Sequence, residues 1–128
     1  MSRVLLDTHT LLWFVANDPA LPESARVLIE NADEVFVSVA SAWEIAIKVN
    51  LGKLSIDAAT PEVFFDEQMG INGFVFLPIA PAHVFRAAAL PPHHRDPFDR
   101  LLIAQAVVEG LAFVTRENFS AYAVTTTW

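Results

Sequence analysis

Arg3-Val4-Leu5-Leu6-Asp7-Thr8-His9-Thr10-Leu11-Leu12-Trp13-Phe14-Val15 sets the terms for the rest of the chain. Arg3 to Leu6 is short and apolar and reads as a buried strand. Asp7-Thr8-His9-Thr10 then opens a helix bearing Leu11, Leu12, Phe14 and Val15. The same succession recurs. Glu34 to Ser38 is a Val/Phe strand. Ser41-Ala42-Trp43-Glu44 has the form of a capping box that starts a helix, running to about Leu51 and stopping at Gly52. Phe74 to Leu77 is a third strand, followed by a helix over 81–90. Asp96-Pro97 opens the most apolar helix, closed by Gly110, and Leu111 to Thr115 is a fourth strand. Ala123 to Thr126 is a candidate short last strand. Further helices are expected over 23–31 and from Pro61 to near Gly70. Strands alternating with helices predict an α/β fold over 1–128 as one domain, with a mainly parallel sheet of about four to five strands and helices on both faces.

Composition narrows the class. Apolar residues form 54% of the 128 residues, so the core is large for the length and some apolar surface is left for a partner or homodimer face. No apolar run reaches the roughly 18 residues that span a bilayer. Asp7 interrupts the first apolar run too early for a signal-peptide core. With no cysteine, disulfides and thiolate metal sites are excluded, and the cytoplasm is the expected compartment. The net charge of −7 argues against a broad basic footprint for nucleic acid. A divalent ion bound among acids would reverse that sign locally.

The acids share one topological address. Asp7 follows the first strand, Glu44 lies early in the helix after the second, and Asp96 and Asp99 open the apolar helix. Glu117 follows the strand ending at Thr115. In a parallel sheet, strand ends and helix starts converge on the edge where open α/β folds bind ligands. Each acid also has a structural reading. Asp7 suits a helix N-cap, Glu44 the third position of a box with Ser41, and Asp96-Pro97-Phe98-Asp99 a well-formed helix start. Taken together, acids crowded among Leu and Phe would repel and desolvate one another. Mg²⁺ or Mn²⁺ offsets that cost with oxygen ligands. Cap and ligand are compatible roles. His9, His93 and His94 have no recognised zinc spacing.

Leu5-Leu6-Asp7-Thr8-His9, Trp43-Glu44-Ile45-Ala46-Ile47-Lys48 with Leu51-Gly52-Lys53-Leu54, and Asp96-Pro97-Phe98-Asp99-Arg100-Leu101-Leu102-Ile103-Ala104-Gln105-Ala106 together resemble the PIN-domain ribonucleases, in particular the VapC-like toxins of bacterial type II toxin–antitoxin systems. The resemblance covers nearly the whole chain in order. It implies a PIN fold, Mg²⁺- or Mn²⁺-dependent endonuclease activity on RNA, and a small cognate antitoxin. It also implies that Asp7, Glu44 and Asp99 are metal-binding or catalytic acids, with Asp96 in support. The family usually carries Thr-x-Asp after the fourth strand, with an aromatic three residues later. Here Thr115-Arg116-Glu117 supplies Glu, and Phe119 comes one residue early. Glu117, directly or through water, or Asn118 is then the candidate for the remaining ligand.

The resulting expectation is metal-assisted hydrolysis of an RNA phosphodiester. Asp7 and Asp99 hold the metal, and Glu44 orients or deprotonates the attacking water. Thr8 and Thr115 steer carboxylates or water by hydrogen bonding. Lys48, Arg95, Arg100 and Arg116 are candidates for phosphate contact, although Lys48 is also spaced for a helical ion pair with Glu44. Two rival readings remain. A Mg²⁺-dependent phosphoryl-transfer domain also clusters acids at strand ends, but wants an acidic pair or Asp-x-Asp after the first strand, where this chain has Asp7-Thr8-His9. A non-catalytic PIN-like interaction module would have no need of the intact Asp7, Glu44 and Asp99 set.

Overall fold

The computed structural model describes residues 2–128. Its elements follow in the order β1 (Arg3–Leu6), α1 (Thr8–Val15), α2 (Glu23–Asn31), β2 (Glu34–Ser38), α3 (Val39–Asn50), α4 (Pro61–Asn72), β3 (Val75–Leu77), α5 (Pro81–Ala89), α6 (Pro97–Glu109), β4 (Ala112–Val114) and β5 (Thr126–Thr127). The strands form one sheet in the order β3-β2-β1-β4-β5, and every pairing is parallel. The expected α/β architecture with a parallel sheet is therefore what the chain adopts.

Alternation along the strands divides the core in two. Val4, Leu6, Val35, Val37 and Val114 face a cluster built with Leu11, Ala25, Ile29, Ile45, Phe64 and Phe65 from α1 to α4. Leu5, Phe36 and Phe113 point the other way, onto Leu102, Ile103 and Ala106 of α6 and onto Phe119 and Tyr122. Because side chains alternate across a strand, a slip of one residue would exchange these sets, so register is strongly specified.

Element ends depart from the sequence reading where backbone chemistry decides them. Ser41 is not the cap of α3. Ser38 is, its hydroxyl accepting from the Ala40 N–H at 3.0 Å, so β2 passes into α3 with no loop and Glu44 lies a turn deeper than a capping box would put it. α4 continues past Gly70 to Asn72, and Gly73 supplies the left-handed stop at φ 68°. The last strand lies at Thr126–Thr127 because the Thr125 and Thr127 carbonyls accept from the N–H groups of Phe113 and Thr115, at 2.8 and 3.1 Å.

The strand order carries the functional consequence. β2 and β3 extend the sheet on one side of β1, and β4 and β5 extend it on the other, so the direction of winding reverses between β1 and β4. Helices and loops part at such a switch point and leave a crevice at the carboxyl ends of the strands. Phe113, fully buried on β4 beside that point, holds the second core cluster together. Phe113→Ala should lower the unfolding free energy by about 3–5 kcal/mol in urea titration. A loss below about 1 kcal/mol would mean that this face of the sheet is less tightly packed than described.

Candidate active site

Asp7 is the first residue past β1 and the N-cap of α1, and it is only 5% exposed. A carboxylate so placed needs donors, and it has them. The Thr115 hydroxyl donates to Oδ2 and the Thr8 backbone N–H to Oδ1, each at 2.7 Å. The backbone around it is lashed as well. The N–H of Asp7 and the hydroxyl of Thr10 both donate to the Val114 carbonyl, at 3.1 and 2.9 Å. These bonds tie the carboxyl end of β1 to that of β4 across the switch point. Burial still pushes the Asp7 carboxyl above its ordinary range, against the lowering effect of Thr115, Thr8 and His9.

The other acids approach from α3 and α6. Asp99, half-buried in the first turn of α6, has its pKa raised to about 7. Burial is the main cause, followed by the charges of Asp96, Asp7, Glu44 and Glu117. Its dependence on all four places the five sequence-predicted acids within one electrostatic neighbourhood. Glu44 is the one carrying a cation: Lys48 Nζ donates to its Oε2 at 3.2 Å, with the glutamate side chain 13% exposed. This is the helical ion pair, and it occupies the Lys48 charge that was a candidate for RNA phosphate. Asp96 acts as the cap of α6, accepting from the N–H groups of Phe98 and Asp99 at 2.9 and 3.4 Å.

The structure rearranges the remaining candidates. Thr115 serves twice, donating to Asp7 and accepting from the Glu117 N–H at 3.0 Å. The exposed side chain of Glu117 therefore hangs from the turn that fixes Asp7. Asn118 Oδ1 accepts from the Ser120 N–H at 3.0 Å and is used within the turn. Phe119, buried and stacked on Phe113, anchors the shortened loop. Thr8 reaches Asp7 through its backbone, while its hydroxyl donates to Ser41 Oγ at 2.9 Å. Arg100 was expected at phosphate. Its guanidinium instead donates to the carbonyls of Ala87, Leu90, Pro91 and His94 at 2.7–3.1 Å, closing the loop between α5 and α6. Arg95 and Arg116 are exposed beside the acids. His9 lies near enough to Asp7 to favour its charged form, with its ring stacked on Trp13, whereas the rings of His93 and His94 pack on Tyr122 and on Phe119 and Tyr122.

Two positioning contacts were not read from the sequence. The Thr8–Ser41 bond ties the start of α1 to α3. The Ser38 hydroxyl donates to Gln105 Oε1, tying the start of α3 to α6. Gln105 is fully buried and also donates to the Pro78 carbonyl at 3.3 Å. Three helices carrying Asp7, Glu44 and Asp99 are thus joined by buried hydroxyl and amide groups. The signal was present: an unaccompanied Gln inside the most apolar helix must find polar partners.

The donor set is all oxygen, which suits Mg²⁺ or Mn²⁺. Among the described residues no three Asp, Glu or His side chains are grouped at metal-ligating spacing. Mg²⁺ characteristically keeps several waters and takes only one or two carboxylates, so a site need not gather three acids at ligating distance. The charge excess at Asp99 is what such an ion would relieve. A hollow lies at the opposite end of the sheet, around Ser2, Asn31, Gly110 and Val124, and no acid lines it.

The sequence model for the PIN domain matches residues 4–123. The curated protein Ribonuclease VapC22 of Mycobacterium tuberculosis is 32% identical over 119 residues, covering 92% of this chain and 89% of its own length. Among solved structures, VapBC2 from Rickettsia felis bound to a promoter DNA fragment superposes with a TM-score of 0.73 at 14% identity, covering 98% of this chain and 97% of the other. A toxin–antitoxin complex from Klebsiella pneumoniae gives 0.66 at 16%, covering 98% and 96%. At those identities the superpositions speak to fold.

A prediction follows from Asp99 in the metal-free protein. Its folded-state pKa near 7 lies above the ordinary 3.8, so between these values the native state holds a proton that the unfolded chain has released. Stability then falls as pH rises through that window. Asp99→Asn should be more stable than the wild type at pH 8 in chelator, by about 1–2 kcal/mol once solvent screening of a half-exposed group is allowed for, with the gap reduced by more than half at pH 5. Urea unfolding at both pH values reads this out. A wild type that gains stability on the variant between pH 5 and 8 contradicts it.

Proposed function

Because the chain belongs to the PIN-domain family, we propose that it is a Mg²⁺- or Mn²⁺-dependent endoribonuclease, the cytoplasmic toxin of a toxin–antitoxin pair, held in check by a small cognate antitoxin. The observation that carries the chemistry is Asp99, whose proton affinity is raised by burial and by Asp96, Asp7, Glu44 and Glu117 at one edge of the sheet. Acids serving only as helix caps have no need to crowd in this way. The ribonuclease name of the curated relative supports RNA as the substrate. The toxin–antitoxin complexes among the structural neighbours support an antitoxin partner.

Asp7 and Asp99 are the groups to hold the ion, with Glu44, Glu117 and Asp96 around it. When bound, a divalent ion supplies positive charge to the phosphoryl oxygens and lowers the pKa of water. Thr115 and Thr8 keep the Asp7 carboxylate oriented and favour its charged form against the effect of burial. Glu44, with Lys48 on one oxygen, has the other free to take a proton from the attacking water. As the water oxygen bonds to phosphorus, the bond from phosphorus to the leaving ribose oxygen breaks, and that oxygen takes a proton from solvent. Arg95 and Arg116 are the exposed cations available to phosphate, replacing Lys48 and Arg100 in that role.

A homodimer accounts for part of the apolar excess. Val75 and Phe76 on the edge strand β3 and Val84 and Phe85 on α5 are exposed, Phe85 at 73%. A monomer in sedimentation at micromolar concentration would remove that reading.

The test of activity uses a total RNA pool with wild type, Asp7→Asn and Asp99→Asn, with and without chelator. Wild-type cleavage should depend on Mg²⁺ or Mn²⁺ and fall at least a hundredfold in each variant. Expression of the wild type should arrest growth, with release on coexpression of a small protein encoded just upstream. Equal cleavage by all three proteins would sink the site. Stable acylphosphate formation from acetyl phosphate, without RNA cleavage, would favour a phosphoryl-transfer domain.

A further inference from the structure

Beside the acids lies a stack of side chains of which the chemistry above uses only Arg116. His9, exposed and near the start of α1, stacks on Trp13 with ring centroids 5.7 Å apart and planes inclined by 17°. The Arg116 guanidinium lies over the same indole, 4.7 Å from its centroid. Trp128 meets Trp13 edge-on at 6.0 Å, and the indole packs against the larger core cluster. Trp13 is therefore a fixed support, while His9 and Arg116 form its solvent-facing part.

Both outer members belong to the lip of the acid cluster. His9 favours the charged form of Asp7. Arg116 follows Thr115, whose hydroxyl holds Asp7, and precedes Glu117. A cation over the outer part of a half-buried ring contributes only modestly to stability, so packing alone is a weak reason for two planar groups to share one indole here. The local cations also differ in what holds them. Lys48 is bound to Glu44 and Arg100 to four carbonyls, whereas Arg116 is bound to a ring and keeps its donors for an anion.

The geometry points to a nucleobase subsite: the base of a nucleotide adjoining the scissile phosphate stacks on the His9–Trp13–Arg116 platform, with its own phosphate against Arg116. A pre-packed aromatic support lowers the entropic cost of binding. Stacking accepts any base, since every base has a π-face. The subsite therefore selects for single-stranded RNA with an unstacked nucleotide at the cut rather than for a particular letter. This inference rests on the reading of the protein as a ribonuclease.

Two arms separate the failure of one from the failure of the other. In the first, wild type, His9→Ala, His9→Phe and Arg116→Ala cleave a short single-stranded RNA and versions with one abasic ribonucleotide on either side of the cut. The wild type should lose about tenfold in KM for one abasic position. His9→Ala should bind the intact RNA about tenfold more weakly and no longer distinguish it from the abasic one, and His9→Phe should restore the difference. In the second, the same RNA is titrated against tryptophan emission with Ca²⁺ in place of Mg²⁺, under conditions where it is recovered intact. Binding should weaken about tenfold in His9→Ala and Arg116→Ala at unchanged Tm. Wild-type binding without cleavage overturns the ribonuclease reading and leaves the platform supported if the variants bind more weakly. Equal binding by all variants, or equal KM for intact and abasic RNA, overturns the platform.

Discussion

A carboxylate held inside the molecule governs this structure. Asp7 ends the central strand and starts the first helix, and little of it reaches solvent. An uncompensated charge there would cost several kcal/mol. The Thr115 hydroxyl, reaching from the neighbouring strand end, and the Thr8 N–H offset that cost, as charge-assisted bonds do. The same contacts bring the carboxyl ends of β1 and β4 together, so the bonds that favour the charged form of Asp7 also shape the edge where the acids gather. Ser41 and the Ser38–Gln105 pair extend this lashing to α3 and α6, and with it to Glu44 and Asp99.

Electrostatic conflict and helix geometry are reconciled at this edge. Asp7 and Asp96 are caps in the ordinary sense, and Asp99 lies in a first turn where the helix dipole favours negative charge. These effects hold the acids in place without removing their conflict, which surfaces at Asp99 through burial first and then the charges of its acidic neighbours. A chain of net charge −7 that concentrates acids in one crevice is poorly suited to a polyanion unless a cation enters first. Membership of the PIN-domain family and the raised proton affinity of Asp99 are the two separate grounds for the metal-dependent chemistry proposed above.

The fold was legible because the pattern is local. Each of β1 to β4 is a short run rich in apolar residues, each helix start carries a cap or a proline, and alternation of the two types leaves few arrangements open, whereas β5, two threonines, is set by its bonds to β4. Asp7, Glu44 and Asp99 were legible for the same reason, as acids placed just after strands or at helix starts. What escaped the sequence was the choice among partners brought together from distant segments. Ser38 and Ser41 compete for the cap of α3, and the choice falls to Ser38 because its hydroxyl is also needed at Gln105. Arg100 looks free in sequence and is consumed by four carbonyls of a loop it closes. Neither outcome follows from spacing. His9 and Arg116 are far apart in the chain and meet only over Trp13.

The central claim is that these acids are arranged around charge they cannot neutralise among themselves. The most direct measurement is the titration of the Asp99 carboxyl by carbon NMR, in chelator and again in Mg²⁺. The account predicts a midpoint near 7 without metal, set by burial and the surrounding acids, and a return toward the ordinary carboxylate range when Mg²⁺ is present. A midpoint that Mg²⁺ leaves unmoved would contradict it.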